Sequence, residues 1–168
     1  MDPKHEIVEH LPRLRRYARA LTRDPDVADD LVQSCLERSL AKLHLFQAGS
    51  DMRAWMFTIM HNLHINILRK GSRAGTTVPL DIADGLPSTP PAQEGRLAMR
   101  DLGAALERLT EEKRAVVLLI GLEGMSYKET AEILGVPVGT VMSRLARGRE
   151  ELRNLMDGRG EPTLRRVK

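Results

Sequence analysis

Basic and hydroxyl side chains alternate with apolar residues in the segment VPVGTVMSRLARGREEL, residues 136–152. At the spacing of an α-helix, the apolar residues share one side, and Thr140, Ser143, Arg144 and Arg147 can project from the other. Arginine can bind guanine edges or phosphates, and Ser and Thr hydroxyls can bond to either. These residue types favour non-covalent recognition of nucleic acid, and the alternative is an ordinary helical hairpin with a solvated basic face.

The residues before this basic helix predict a turn that sets its direction. Ser126 and Glu129 have the spacing of a capping box, which opens a short helix that runs to about Leu134. Gly135 can adopt the positive φ that ends this helix, and Pro137 suits the first turn of the next one. The pattern is that of a helix-turn-helix, in which the second helix enters the major groove. We expect the buried side of that second helix to consist of Val138, Val141 and Leu145.

A second candidate surface lies on a helix predicted at about 52–70. One stripe is apolar and should face a core: Met56, Met60, Leu63 and Ile67. Another stripe, which continues to Lys70, combines an aromatic ring with polar groups: Trp55, Thr58, Asn62, Asn66 and Arg69. Amides can read base edges, arginine can hold phosphate, and an aromatic ring can stack on a base. Spacing alone leaves two interpretations open, a nucleic-acid surface or a polar helix face with Trp55 in the core.

A third face belongs to a helix predicted at about 25–43, which Asp24 can cap and Pro25 can start. Its inner side carries Ala28, Val32, Cys35, Leu36, Ser39 and Leu43. Its opposite side carries Asp30, Gln33 and Glu37, which from the residues alone is a solvated surface.

Catalytic and metal-binding patterns are weak in this sequence. His61 and His64 stand three residues apart, but no further cluster of ligands accompanies them, so we predict surface or boundary histidines and no metal site. Cys35 is interpreted as a small packed residue, since nothing nearby in the sequence would lower its pKa. We find no Gly-rich phosphate loop and no catalytic triad, and we expect neither an enzyme nor a bound cofactor.

Composition and the positions of the helix-breaking residues predict an all-α protein with two small helical domains joined by a flexible linker. The 168 residues are only 3% aromatic, and the net charge is +3. The stretch 71–96 is dense in Gly, Pro, Ser and Thr, and it separates a first domain at 5–70 from a helix-turn-helix domain at 97–156. Residues 157–168 should form a disordered basic tail. With one cysteine and no apolar run of about 20 residues, we expect a cytoplasmic protein.

Within these domains the sequence places several helix boundaries. A first helix should start near Leu11–Pro12, and another should cover about 102–109. Thr110 can cap the next helix, whose first turn carries Glu111 and Glu112. The apolar run AVVLLIGL in that helix predicts burial on all sides, and Gly124 should end it.

Three segments in this order resemble one family, the bacterial RNA polymerase sigma factors of the extracytoplasmic-function type, over about 10–70 and 97–156. GTVMSRLARGREEL is similar to the family's helix that reads the −35 promoter element. ADDLVQSCLERSL resembles the segment that docks on the clamp helices of the polymerase β′ subunit. MRAWMFTIMHNLHINILRK resembles the segment that melts and reads the −10 element. Among members of the family, the first block is most similar to sigma factors of the general stress response.

The resemblance implies roles for individual residues. The polymerase-binding residues would be Asp30, Leu31, Gln33 and Glu37. The loop from Phe46 to Met52 would hold a flipped −10 base beside Asn62, and the −10 set would be Phe46, Gln47, Met52, Trp55, Asn62, Asn66, Arg69 and Lys70. The −35 set would be Thr140, Ser143, Arg144, Arg147 and Arg149, with Ser143 and Arg147 at the bases and Arg144 and Arg149 at phosphates.

The implied partners are core RNA polymerase, through its β′ clamp helices and β flap, promoter DNA and an anti-sigma factor. Three positions depart from the family pattern, and they concern the promoter sequence rather than the class. Met142 stands where Lys or Arg is common, Ala146 stands where a larger side chain is common, and Asn66 stands where many members have Asp.

Two other functions remain possible at this point. A stand-alone helix-turn-helix regulator would dimerise on a palindrome without polymerase, but the docking face and the linker argue against it. A sigma mimic would sequester an anti-sigma factor and would not need DNA-reading residues. The arginines of the last helix, together with Asn62 and Trp55, argue against that mimic.

Overall fold

The computed structural model describes residues 2–74 and 93–158, with side chains at 2–71 and 99–158. Within these ranges every regular element is helical, as the sequence predicts. The first block contains α1 (Pro3–Thr22), α2 (Pro25–Ala41), a short 3₁₀ turn (Leu43–Leu45) and α3 (Met52–Ala74). The second contains α4 (Gln93–Arg108), α5 (Glu111–Val117), a π-helical segment (Leu118–Leu122), α6 (Tyr127–Leu134) and α7 (Val138–Met156).

Helix α1 begins earlier than the sequence predicts. Its N-cap is Asp2, whose carboxylate accepts a hydrogen bond of 3.0 Å from the backbone N–H of Lys4, and Pro3 takes the first helical position. Pro12 therefore lies inside the helix, and the expected start near Leu11–Pro12 is wrong. The cap at Asp2 and the full burial of Ile7 stabilise the turns that precede Pro12.

The predicted caps of the later helices are confirmed. The Asp24 carboxylate accepts from the N–H groups of Asp26 and Val27, at 2.9 and 3.2 Å. Thr110 caps α5 and Ser126 caps α6 through their hydroxyl oxygens, each of which accepts from the N–H three residues on. Gly135 ends α6 in the left-handed region with φ 67°, and Pro137 is the N-cap residue of α7.

The buried run after Thr110 contains a change of helical type. Helix α5 passes into the π-helical segment, and Gly124 follows it with φ 67°. Four residues of this run are buried: Ala115, Val116, Leu118 and Leu119. Gly121 is exposed, so the prediction that the run is buried on every side is wrong.

The two blocks share one hydrophobic core. The side chains of α1, α2 and α3 pack in a single buried cluster with second-block residues: Leu106, Leu109, Leu118, Leu119, Met125 and Ile133. Tyr17 and Phe57 meet edge to face within this cluster, with ring centroids 5.1 Å apart. A smaller cluster inside the helix-turn-helix joins Val116, Ala131, Val141 and Leu145. In this structure the two blocks are therefore packed against each other, mainly through α3 on α6 and α1 on the π-helical segment.

Helices extend into both ends of the predicted linker at 71–96, since α3 continues to Ala74 and α4 begins at Gln93. Residues 75–92 lie outside the described residues. Residues 159–168, most of the predicted tail, also lie outside them.

Candidate functional site

The outer face of α7 carries most of the predicted base-reading residues. Ser143, Arg147 and Arg149 are exposed, and the Ser143 hydroxyl donates to the backbone carbonyl of Thr140 at 3.1 Å. The opposite side is packed, and its buried residues are Val141, Leu145 and Gly148. The prediction that Val138 is buried is wrong, since its side chain is 40% exposed. Val138 is the first residue of the helix and lies at the edge of the buried arc.

Close contact with α5 fixes the position of α7. A Cβ atom built on Gly148 would lie 2.8 Å from the Val117 Cγ2 atom, so only glycine fits this crossing without a shift. One turn later, the Lys113 ammonium forms an ion pair with the Glu151 carboxylate at 2.6 Å. Packing against α5 therefore holds α7 in place and leaves its outer face exposed.

The polar stripe of α3 is exposed where the sequence predicts contact with DNA. Asn62, Asn66, Arg69 and Lys70 are all exposed. Trp55 is half-buried, and its ring lies 5.2 Å from that of Phe46 at an angle of 54°. This aromatic pair holds the preceding loop against the helix, so Trp55 combines packing with partial exposure.

Two residues of α3 are placed differently from the prediction. Met52, assigned to the −10 set, is buried and packs in the core, so its side chain cannot contact DNA directly in this arrangement. Ile67, assigned to the core stripe, is 38% exposed. Helix α3 has a second buried side that contains His64, and this side faces the second block.

The predicted docking face of α2 is exposed at three of its four residues. Asp30, Gln33 and Glu37 face outward, and the Gln33 amide donates to the Glu37 carboxylate at 3.4 Å. Leu31 is fully buried in the core, so it supports the helix and does not itself present a contact. Beside this face, α1 and α2 form a groove of about 530 Å³, lined by Leu11, Arg15, Arg19, Asp29, Val32, Gln33, Leu36, Glu37 and Leu40.

Ion pairs that no sequence pattern predicts join the two blocks. The Arg16 guanidinium donates to both oxygens of the Glu123 carboxylate, at 3.0 and 3.1 Å, and the Glu123 side chain has no exposed surface. Burial raises the pKa of Glu123, and the hydrogen bond from Arg16 opposes that shift. Arg53 pairs with Glu129 at 3.3 Å and donates to the Glu123 backbone carbonyl at 3.3 Å.

The two histidines of α3 also lie at this contact. His64 is buried, and its Nε2 atom lies 3.2 Å from the Glu111 carboxylate, so a surface or boundary position is wrong for His64. His61 is half-buried, and burial, with the nearby His64 and Arg144, lowers its pKa to about 4. Burial raises the pKa of Glu111, but the hydrogen bond with His64 and the positive charge of Arg114 outweigh this effect and leave that pKa lowered. His61, His64, Glu111 and Arg144 line a cavity of about 220 Å³ between α3 and the second block.

Arg144 and Thr140 are therefore set apart from the other predicted −35 residues. Both are half-buried, and Arg144 lies on the side of α7 that faces α3. Ser143 and Arg147, one turn apart, thus share an open face of α7, whereas Arg149 is exposed on another side and Arg144 turns towards the first block.

Comparison with known proteins matches both blocks to one class. The family model described as the sigma2 domain of PhyR matches residues 7–61, and that of sigma-70 region 4 matches residues 99–152. The ECF RNA polymerase sigma factor EcfG of Rhodopseudomonas palustris is 39% identical over 153 residues, which cover 91% of this chain and 84% of EcfG. The chain belongs to the extracytoplasmic-function sigma factors of RNA polymerase. Sigma factors are the subunits that direct core polymerase to promoters.

Solved structures agree with this assignment. The sigma factor RpoE of Bartonella quintana, crystallised with the anti-sigma factor NepR, superimposes with a TM-score of 0.78 at 36% identity, over 92% of this chain and 96% of RpoE. The anti-anti-sigma factor PhyR of Bartonella quintana, crystallised with NepR, gives a TM-score of 0.58 at 23% identity, over 87% of this chain and 47% of PhyR. The likeness to PhyR is one of fold.

Metal binding, a reactive thiol and membrane insertion find little support in the described part of this sigma factor. No group of three or more His, Cys, Asp or Glu side chains in that part is arranged to hold a metal ion. Cys35 is buried, and burial raises the pKa of its thiol to about 11, which keeps it protonated. Among the described helices, none has the length and apolar character to cross a bilayer.

Proposed function

We propose that this sigma factor reads promoters at two points, with α7 at the −35 element and with α3 and its preceding loop at the −10 element. The observation that carries the proposal is that Ser143 and Arg147 are exposed one turn apart on a helix whose other side is packed. Arginine in a major groove binds guanine edges bidentately, and each such contact contributes about 1–3 kcal/mol of discrimination. The protein works where polymerase works, in the cytoplasm, and no catalytic role is proposed for any residue.

The −35 role can be tested by in vitro transcription with purified core polymerase. Arg147→Ala should reduce initiation by roughly 5- to 100-fold at a promoter with an intact −35 element, because one bidentate contact is lost. Its affinity for core polymerase should not change. Arg108→Ala, which removes an exposed arginine from α4, is the matched control. Equal activity of the wild-type protein on intact and scrambled −35 elements would contradict the role.

The −10 role rests on the exposed amides of α3 beside the loop that Phe46 and Trp55 hold in place. Flipping a base out of the duplex costs a few kcal/mol, which stacking and hydrogen bonds in a pocket can offset. Asn62→Ala should therefore reduce strand opening, measured by permanganate reactivity of unpaired thymines. Asn154→Ala, at an exposed position of α7, should leave strand opening at the wild-type level. Normal reactivity of the Asn62 variant would argue against a pocket beside Asn62.

The polymerase-docking role belongs to the exposed face of α2. Asp30→Arg should weaken binding to core, since it reverses a charge on the surface proposed to meet the β′ clamp helices. Asp101→Arg reverses an exposed charge on α4 and serves as the control. An unchanged affinity of the Asp30 variant for core would refute the docking assignment. The second domain would meanwhile contact the β flap.

An anti-sigma factor is the remaining proposed partner. RpoE, which is 36% identical to this chain, was crystallised with the anti-sigma factor NepR. By analogy, we propose that a small protein of that kind holds this sigma factor inactive, and membership of the general stress response group stays a prediction. Inhibition of promoter-specific transcription by the NepR-like protein of the same cell would support this partner, and unchanged transcription at saturating inhibitor would not.

A second candidate function, the sigma mimic, has one observation in its favour, since the first domain matches the family model of PhyR. A mimic would bind the anti-sigma factor but would give no transcript with core polymerase at any promoter. The exposed arginines of α7 and the 39% identity to EcfG favour the sigma factor. A stand-alone regulator would instead bind duplex DNA without core, so one transcription assay with a parallel binding assay separates the three.

Two-point reading also requires the blocks to move apart. In the closed arrangement Arg144 of α7 and His61 of α3 line the same cavity, so these side chains of the two reading helices lie close together. The −35 and −10 elements are separated along DNA whose rise is about 3.4 Å per base pair. We propose that binding to polymerase separates the blocks, which breaks the ion pairs of Arg16 and Arg53.

A further inference from the structure

The outer face of α7 carries an apolar patch that the roles above leave unexplained. Met142 is 52% exposed and Val138 is 40% exposed, and they stand four residues apart on the same side of the helix. Ala146, four residues further on, is also exposed. These three positions form a stripe beside Ser143, which we call the Met142 stripe.

The Met142 stripe is not part of either hydrophobic cluster. The buried arc of α7 at Val141 and Leu145 points into the second block, whereas Met142 projects to the outside of the helix. Exposed apolar surface gains free energy when a partner covers it, at about 25 cal/mol per Å². Covering the Met142 side chain with an apolar group in the complex would therefore be favourable.

The major groove of B-DNA offers one kind of apolar group at base edges, the C5 methyl of thymine. We propose that Met142 contacts a thymine methyl in the −35 element, so that Met142 specifies a T·A pair where an arginine or lysine would favour guanine. This inference rests on the proposed −35 role of α7. The charge near the stripe favours DNA as its occupant over a protein partner, because exposed Arg149, seven residues after Met142, lies on the same side of α7 and complements phosphates.

The experiment starts from a promoter library randomised across the −35 element and selected for transcription by core polymerase with this sigma factor. In the selected promoter each −35 thymine is replaced, one at a time, by deoxyuridine, which lacks only the methyl group. With the wild-type protein, one position should lose about three- to fivefold in initiation, the value expected for one buried methyl. With Met142→Ala, initiation should fall by a similar factor, and the same deoxyuridine should have no further effect.

Met156→Ala is the control, since Met156 is 40% exposed near the end of the same helix. This variant should keep both full initiation and the wild-type sensitivity to deoxyuridine. The inference is overturned if no deoxyuridine lowers initiation, or if Met142→Ala retains the full sensitivity. It is also overturned if Met142→Ala weakens binding to core polymerase instead, because the stripe would then be a protein contact. Failure to select any promoter is a separate result, and it would overturn the proposed function together with this inference.

Discussion

The ion pair between Arg16 and Glu123 joins the two blocks, and replacing Arg16 by methionine tests its contribution. Methionine keeps most of the aliphatic stem and removes the guanidinium, which donates to both Glu123 carboxylate oxygens. The Glu123 side chain is fully buried, so the variant would hold a carboxylate without its charged partner. The blocks should then be held together less tightly.

The size of the effect follows from this burial. Removing one partner of a fully buried pair costs about 3–5 kcal/mol, because the other charge is left uncompensated. The Arg16 side chain is 33% exposed, so water can reach the carboxylate in the variant and screen it. We therefore expect the free energy of unfolding to fall by about 1–3 kcal/mol at neutral pH.

Urea unfolding at pH 7 measures this change, with Arg15→Met as the control. Arg15 is the neighbouring residue on α1, and it is exposed. At urea concentrations where the blocks separate without unfolding, small-angle scattering should also show a larger radius of gyration for Arg16→Met. Combining Arg16→Met with Glu123→Gln in a double-mutant cycle should give a coupling free energy of about 1 kcal/mol or more.

The pH dependence adds a second criterion. Burial already raises the pKa of Glu123, and loss of Arg16 should raise that pKa further. The deficit of the variant should be largest above this pKa and should shrink as the pH falls through it, because protonated Glu123 needs no compensating charge. A deficit equal to that of Arg15→Met, or one that grows on acidification, would refute this explanation of the contact.

Three further changes should alter stability in the same unfolding assay. Gly148→Val should lower the free energy of unfolding by about 1–3 kcal/mol, since even a Cβ there meets Val117 at 2.8 Å, whereas Gly139→Val has open space and should not. His61→Gln should reduce the loss of stability on acidification between pH 6.5 and about 4, because the lowered pKa of His61 makes the unfolded chain bind the proton first; an unchanged pH profile would refute this. Arg114→Met should cost about 2–4 kcal/mol by leaving buried backbone carbonyls without donors, and exposed Arg108→Met should cost much less.

Local interactions explain why the sequence predicts so much of this fold. The caps at Asp24, Thr110 and Ser126 act within three residues, and the left-handed turn at Gly135 depends on that residue alone. Such signals can be read from a short window of sequence. The order of three family motifs likewise indicates an extracytoplasmic-function sigma factor without any knowledge of tertiary contacts.

Burial on individual helices was harder to predict, because it depends on how many neighbours a helix has. Helix α3 packs on the first block with one side and on α6 with another. A prediction based on one apolar stripe therefore buries Ile67, which is exposed, and exposes His64, which is buried. Leu31 and Met52 fit their family motifs but lie in the core, since motif residues serve packing as well as contact.

The sequence alone determined the helices, the helix-turn-helix and the class of protein, because periodicity, caps and motifs are encoded by residues close together in the chain. Only the tertiary structure decided which residues meet across the two blocks. Arg16 and Glu123 are 107 residues apart, and either could have been a solvated charge. Their pairing depends on how α1 packs against the π-helical segment, and packing of that kind over a long sequence separation leaves no local pattern.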